Sequence, residues 1–211
     1  MTEREGTAGW LWTGSPSFFL RPVSRLSGEG AEAMGYVFET EHLRVRPFTS
    51  EDGPRLYEIH LDEAVKKWFP NESYENPEEA REAAAFFGLR AERGQLPFVL
   101  AVERKDTGEL IGDAGVSEAE GKPGEVEIGY VICRSCRGKG YAAEIVRAMT
   151  GFAASVFQAH AVVGRVVKGN SASVRVLEKS GYRFVREESG AEDDPYGNGM
   201  LVYRKEDPAW P

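Results

Sequence analysis

Residues 126–157 read VEIGYVICRSCRGKGYAAEIVRAMTGFAASVF, and this stretch decides the fold. It begins with an apolar run from Val126 to Cys133, which is typical of a central strand. A loop containing two glycines follows. Apolar residues then recur at helical spacing and predict an amphipathic helix from about Lys139 to Phe157; they are Ile145, Ala148, Met149, Phe152 and Val156. The sequence therefore predicts a strand, a tight loop and a helix in immediate succession.

The loop between this strand and this helix has the composition of an anion site. Gly138 and Gly140 let the backbone approach a phosphate closely and turn its N–H groups inward. The start of the helix adds about half a positive charge, and Arg137 and Lys139 strengthen that field. A pyrophosphate is the natural occupant. The competing interpretation is a tight turn that needs glycine for its conformation alone.

The elements predicted on either side follow the order β-α-α-β-β-β-α-β-α-β-β, which favours a mixed α/β sheet with helices on both faces. The predicted strands are 43–48, 98–102, 110–112, 126–133, 161–167, 182–185 and 200–203. The predicted helices run from Thr49 or Ser50 to Leu61, from Asn76 to Arg93, from 139 to 157 and from 171 to 180. One domain is expected at 36–206, followed by a tail at 207–211. Residues 1–35 form an N-terminal extension that is a disordered tail, a small packing arm or the product of a start codon assigned too early, ahead of Met34.

Charge and hydropathy exclude several classes of function. The chain has 34 acidic and 26 basic residues, a formal net charge of -8, which argues against general nucleic-acid binding. That charge suits either a cationic substrate or solubility alone. No apolar run has the length of a membrane span, and the N-terminal order does not fit a signal peptide. We therefore expect a cytoplasmic protein that binds neither nucleic acid nor membrane.

The two cysteines, Cys133 and Cys136, have a spacing that suggests a zinc or redox site. Zinc would need two further ligands, but the three histidines are far apart in sequence, at His42, His60 and His160. A redox pair normally opens a helix, whereas this pair lies between a strand and a glycine loop. We expect no metal and no redox function.

Three motifs in the same order resemble the GNAT N-acetyltransferase superfamily, in particular its RimJ/RimL-type branch. Arg137-x-x-Gly140-x-Ala142 looks like the family's coenzyme A signature, and Glu127-Ile128-Gly129-Tyr130-Val131-Ile132 resembles the strand before it. Asn170-Ser171-Ala172-Ser173 and Leu177-Glu178-Lys179-Ser180-Gly181-Tyr182 are similar to a second family element. Thr40 to Phe48 looks like its first strand. The resemblance covers roughly residues 38–205.

The resemblance implies the GNAT fold, with a mixed sheet of six to seven strands and a splay between its central strands. It implies that the pantetheine arm of acetyl-CoA lies against Tyr130, Val131 and Ile132, where a backbone N–H polarises the thioester carbonyl. The pyrophosphate would be bound by the loop, that is by Arg137, Gly138, Lys139, Gly140, Tyr141 and Ala142. Asn170 and Ser173 would contact the cofactor, and a plain helix N-cap is the alternative role for Asn170. The amine attacks directly, through a tetrahedral intermediate and without an acyl-enzyme.

The catalytic assignments are less complete. Glu127 is the predicted base that deprotonates the amine, and a structural salt bridge is an equal alternative. By strand alternation its side chain shares a face with Gly129 and Val131, unless a bulge at Gly129 changes that face. Ser173 is the predicted donor of a proton to the departing thiolate. Many relatives place a tyrosine acid where this chain has Leu177.

The acceptor is expected between the helices of 50–94 and the loop before the last strand. Aromatic and acidic residues occur in those regions: Trp68, Phe69, Tyr74, Glu188, Glu192, Asp193 and Asp194. The acceptor itself could be a peptide N-terminus, a polyamine, an amino sugar or another small amine, and the protein a monomer or a homodimer. Two other functions stay open, a catalytically silent acyl-CoA sensor and an NAD(P)-binding protein. The second requires a parallel β-α-β start that the sequence does not show.

Overall fold

One mixed sheet connects all the strands of the computed structural model, which describes residues 19–20, 37–69, 73–119, 122–189 and 199–206. Its spatial order is β1-β2-β3-β4-β5-β6-β7-β9-β8, and every neighbouring pair is antiparallel except β6 and β7. The strands are β1 (Phe19–Leu20), β2 (Phe38–Glu39), β3 (Leu43–Arg46), β4 (Phe98–Arg104), β5 (Leu110–Glu118), β6 (Glu125–Ile132), β7 (Ala161–Val167), β8 (Arg183–Glu188) and β9 (Met200–Glu206). The predicted mixed α/β sheet is confirmed.

The sheet is larger than the six to seven strands expected from the sequence. The two additional strands, β1 and β2, lie at one edge and are two residues long, too short for an alternating pattern to reveal. β5 also extends well past its predicted end at Gly112. A Cβ on Gly112 would collide with the carbonyl oxygen of Val131, so glycine permits close approach of β6 there. The same glycine interrupted the apolar pattern used for the prediction.

The helices are α1 (Gly53–His60), α2 (Glu63–Trp68), α3 (Pro77–Glu92), α4 (Tyr141–Val156) and α5 (Ser171–Lys179). α3 begins as predicted, because the Asn76 side chain accepts hydrogen bonds from the backbone N–H groups of Glu78 and Glu79. The single helix predicted to end at Leu61 is different in the structure. A short 3-10 turn precedes α1, and Asp62 caps a separate helix, α2, by accepting from the Ala64 N–H.

Helices cover both faces of the sheet. On the face that we call the front, His60 of α1 lies 2.9 Å from Asp113 of β5 (Nε2 to Oδ2), and α3 packs on β4. On the opposite, back face, the ring of Phe98 stacks on Phe152 of α4 with centroids 5.3 Å apart. These layers bury the core between the sheet and each helix group.

The predicted splay lies between β6 and β7. The two strands pair in parallel only where Glu125–Glu127 meets Ala161–Val163. Past that point, residues 128–132 of β6 and 164–167 of β7 share no pairing. We call this opening the fork. Because β7 is absent as a partner, the backbone of β6 presents N–H and C=O groups into the fork.

Candidate active site

A cavity of about 410 Å³ lies at the open end of the fork. Ten of the eleven residues predicted to bind the cofactor line it, namely Tyr130, Val131, Ile132, Arg137, Gly138, Gly140, Tyr141, Ala142, Asn170 and Ser173. The eleventh, Lys139, lies in the same loop between two of the lining glycines. The structure therefore brings into one place the residues that the sequence motifs singled out separately.

The glycine loop has the backbone geometry of an anion cradle. Gly138 and Gly140 have φ values of +77° and +92°, in the left-handed region that favours glycine. A Cβ on either residue would meet no atom within 4 Å, so open space faces both. Gly140 is also the N-cap of α4, which directs the unpaired N–H groups and the positive end of a 16-residue helix toward this loop.

Glu144, the acidic residue in the first turn of α4, is hydrogen-bonded within the protein. Glu144 accepts hydrogen bonds from Thr40 Oγ1 and from the His42 backbone N–H, at 2.8 Å for the latter, and pairs with His42 Nδ1 at 2.9 Å. Burial alone would raise the pKa of Glu144, but these hydrogen bonds outweigh it and lower the pKa. The carboxylate is therefore bound to the turn before β3, which fixes the start of α4 against the sheet.

Arg137 connects the loop to its surroundings as well as lining the cavity. Its Nε donates to the Ile132 carbonyl at 2.9 Å, and its two terminal nitrogens each lie 3.2 Å from Asp62 Oδ1. Burial would raise the pKa of Asp62, but the Ala64 N–H and the Arg137 guanidinium lower it overall. Arg137 thus fixes α2 beside the loop, a contact that the sequence motifs did not indicate because α2 was not predicted as a separate helix.

α2 supplies a wall of the cavity. Ala64, Val65, Trp68 and Phe69 all line it. The Trp68 ring also lies over the turn before α5, since a Cβ on Gly169 would come within 3.5 Å of its Cη2. Trp68 and Phe69, which the sequence assigned to the acceptor region, thus lie on the wall of the predicted cofactor cavity.

Tyr130 and Ser173 form a hydroxyl pair across the fork. Tyr130 Oη and Ser173 Oγ are 2.8 Å apart. Burial raises the pKa of Tyr130 to about 12, although the Ser173 hydrogen bond acts in the opposite direction. Asn170 caps α5, because its Oδ1 accepts from the Ser173 N–H at 3.2 Å, and it lines the cavity at the same time. Both roles considered for Asn170 are therefore geometrically compatible.

Leu177 occupies a closed position. Its side chain is 1% exposed, and a Cβ on Gly164 of β7 would come within 2.8 Å of its Cδ1. Leu177 therefore packs into the core behind the fork. This packing leaves no room for the tyrosine acid that the family resemblance would place at this position.

Glu127 does not line this cavity. It lies in a second, front-face cleft of about 470 Å³, with Glu125, Arg165 and Glu188 among its lining residues. Glu127 Oε2 is 3.9 Å from Arg165 Nη1, and Arg165 Nη2 is 2.6 Å from Glu188 Oε2. This contact supports the alternative role of Glu127, that of a carboxylate in a structural ion pair. The two predicted catalytic residues, Glu127 and Ser173, lie on opposite faces of the sheet.

The face of Glu127 is the one that strand alternation predicts. Its cross-strand neighbour is Ser117, and the next positions on that face, Gly129 and Val131, pair with Gly115 and Asp113. This register continues without a shift through Gly129, so the bulge considered there is absent from the β5–β6 pairing. Glu127 and Val131 are four residues apart, roughly 13 Å along the strand.

The other residues that the sequence assigned to the acceptor region lie in different parts of the fold. Tyr74 packs against His60 with ring centroids 5.1 Å apart, and Glu188 lies in the front-face cleft. Glu192, Asp193 and Asp194 lie outside the described residues. The aromatic and acidic residues therefore do not form one rim in the part of the chain that the structure describes.

Both cysteines are buried and free. Burial raises the pKa of Cys136, which keeps its thiol protonated near neutral pH. Within the described ranges, no cluster of three or more His, Cys, Asp or Glu residues could hold a metal ion. The described helices also include none that is long and apolar enough to span a membrane.

Comparison with known proteins agrees with this geometry. The chain is similar to YoaA, an uncharacterized N-acetyltransferase of Bacillus subtilis (strain 168), at 28% identity over 148 residues, 70% of this chain and 82% of that protein. The fold is similar to ribosomal-protein-S5-alanine acetyltransferase from Vibrio fischeri, with a TM-score of 0.69 at 20% identity over 82% of this chain and 98% of that one. It is also similar to RimL, a ribosomal L7/L12 alpha-N-protein acetyltransferase solved with coenzyme A, with a TM-score of 0.67 at 18% identity over 79% of this chain and 95% of that one.

The family model described as "Acetyltransferase (GNAT) domain" matches residues 42–183, more than half of the chain. The matched range includes the fork, the glycine loop and the whole of α5. The chain belongs to the GNAT acetyltransferase family.

Proposed function

We propose that this protein is an N-acetyltransferase that moves the acetyl group of acetyl-CoA to a primary amine by direct attack. The observation that carries the proposal is the cavity at the fork, which joins a glycine loop at a helix start to an unpaired strand edge. An elongated molecule fits this cavity if its pyrophosphate lies in the glycine loop and its amide-rich arm lies along the strand edge. Membership of the GNAT family supports acetyl-CoA as that molecule.

The residues present fit such a donor. The backbone N–H groups around Gly138 and Gly140, with Lys139 between them, would bind the pyrophosphate. The edge of β6 from 128 to 132 would pair with the amides of the pantetheine arm, as an added strand does. Backbone N–H groups of this edge that face the fork would then stabilise the charge that develops on the thioester oxygen, as an oxyanion hole does.

The amine must lose a proton before it attacks, and Glu127 is the carboxylate we assign to this step. Its separation of roughly 13 Å along β6 from Val131 requires water molecules to relay the proton. Gly129 lies between these two positions on the front face and is exposed. A Cβ there would meet no atom within 4 Å, so Gly129 leaves open space on the front face between Glu127 and Val131.

The departing thiolate needs a proton, and we assign its delivery to Ser173 supported by Tyr130. The two hydroxyls are hydrogen-bonded at 2.8 Å on the cavity wall. Burial raises the pKa of Tyr130 to about 12, so its hydroxyl stays protonated at neutral pH and holds the Ser173 hydroxyl in position by their hydrogen bond. This pair would replace the tyrosine acid that is absent at Leu177.

For the acceptor, we propose a protein N-terminus or a small-molecule amine, as in the RimJ/RimL-type branch. The support is the sequence of the first strand and of the Asn170–Tyr182 element, together with the fold shared with two ribosomal-protein acetyltransferases. Fold does not determine substrate, so acceptors of several chemical types need to be compared.

The test is the release of free thiol from acetyl-CoA across a panel of N-terminal peptides, polyamines and amino sugars. We expect turnover with at least one acceptor, and a Ser173→Ala variant about 100-fold slower in kcat. Ser155→Ala is the matched control, since Ser155 is exposed on α4 outside the cavity, and it should leave kcat unchanged.

The outcomes separate the competing functions. Binding of acetyl-CoA without thiol release on any acceptor would favour the silent sensor. Failure to bind acetyl-CoA would contradict both the transferase and the sensor. Equal kcat values for the Ser173 and Ser155 variants would remove Ser173 from the proton-transfer step.

A further inference from the structure

Three cations around the cavity have no counter-charge within the part of the chain that the structure describes. Lys139, Arg175 and Lys179 make no hydrogen bond, ion pair or ring contact with any residue in the described ranges. By contrast, Arg137 on the same cavity wall is paired with Asp62. In a chain with a formal net charge of -8, cations left without partners beside a cavity indicate an anionic ligand.

Two of these cations form a separate group on α5. Arg175 and Lys179 are four residues apart, so they lie on the same side of the helix, one turn from each other. Both line the cavity, together with Ala172 and Val176 of that side. The acidic residue of α5, Glu178, is directed elsewhere, because its Oε1 accepts from Tyr203 Oη at 3.4 Å.

The glycine loop and α5 therefore offer two distinct anion positions. The loop, with its N–H groups and Lys139, accounts for the pyrophosphate. The pair on α5 remains without an assigned anion. Acetyl-CoA has one more phosphate, on the 3′ oxygen of its ribose, and that group is separated from the pyrophosphate by the sugar alone.

We propose that Arg175 and Lys179 bind the 3′-phosphate of the donor, so that the protein selects acetyl-CoA over its 3′-dephospho form. This inference rests on the proposed function, because it takes acetyl-CoA as the occupant of the cavity. A guanidinium binds a phosphate through paired N–H donors, and a neighbouring ammonium adds a point charge. Among the described residues, neither cation has an ion pair that must break before the ligand binds.

The test compares the affinities of the full chain for acetyl-CoA and 3′-dephospho-acetyl-CoA by titration calorimetry at low salt. For the unmodified protein we expect acetyl-CoA to bind at least about tenfold more tightly, the size of one charge-assisted hydrogen bond. In the Arg175→Gln/Lys179→Gln double variant, that ratio should fall to about one, with dephospho binding unchanged. Both residues are exposed, so the variant should fold normally.

Arg147→Gln is the matched control, since Arg147 is an exposed cation on α4 outside the cavity. This substitution also removes positive charge, but it should leave the ratio of the affinities for acetyl-CoA and 3′-dephospho-acetyl-CoA unchanged. Equal binding of the two donors by the unmodified protein would overturn the inference, as would a ratio that survives in the double variant. An equal loss of affinity for both donors in that variant would also overturn it, because the cations would then act on the pyrophosphate. No binding of either donor would instead contradict the proposed function.

Discussion

Arg46 and Arg175 show two uses of the same side chain. The side chain of Arg46 is 6% exposed and its guanidinium is enclosed by carboxylates, with Nε 2.6 Å from Glu103 and the terminal nitrogens 2.7 and 2.8 Å from the two oxygens of Asp52. Arg175 is exposed and has no such partner among the described residues. The first arrangement joins β3, β4 and the turn before α1, and the second leaves a charge available at the cavity.

The difference teaches how to separate charges that stabilise the fold from those that bind a ligand. A buried cation needs its carboxylates, because an unpaired charge in the interior carries a large desolvation cost. An exposed cation has no such need, so its lack of a partner costs the fold little. Substitutions in the buried ion pairs should therefore lower the stability of the fold, whereas substitutions of the exposed cations should lower the affinity for the ligand.

The largest expected effect is on the buried group. Asp52→Ala removes the bidentate partner of Arg46 and leaves that guanidinium buried beside a single carboxylate. We expect the free energy of unfolding to fall by about 3–5 kcal/mol in denaturant titrations.

The control for this substitution is Asp106→Ala, which removes the partner of Arg104 in an ion pair where Asp106 is 64% exposed. That change should cost less than about 1 kcal/mol. If the two variants lost the same stability, the distinction between buried and exposed pairs would be wrong.

A smaller effect is expected on α5, which has one side packed in the core and another on the cavity. Leu177→Tyr introduces a larger side chain where the structure leaves no space against Gly164. We expect destabilisation of about 1–3 kcal/mol by denaturant titration, and no gain in kcat from the added hydroxyl. Arg175→Gln, on the cavity side of the same helix, should change stability by no more than about 0.5 kcal/mol. A Leu177→Tyr variant of unchanged stability and faster turnover would show that this position opens to the ligand.

The sequence was most informative where one segment carries both structure and chemistry. The strand, glycine loop and helix of 126–157 were read correctly because apolar spacing and two glycines specify them locally. The fork, predicted from family resemblance, is present between β6 and β7.

Other features depend on contacts between distant segments. Asp62 begins α2 by a local cap, but its second contact, with Arg137, joins segments 75 residues apart and has no local signal in the sequence. Likewise, Glu127 shares a strand with the cofactor residues, yet the register places it in a different cleft. No local pattern specifies which of two cavities a strand residue will face.

The central claim, that the loop at 137–142 binds the pyrophosphate of acetyl-CoA, is tested most directly by two substitutions at Gly140. Gly140→Asp and Gly140→Asn impose the same strain at φ +92° and differ in charge alone. By calorimetry, we expect the aspartate variant to bind acetyl-CoA at least about tenfold more weakly than the asparagine variant, because its carboxylate faces the phosphates. Equal affinities in the two variants would contradict this location of the site.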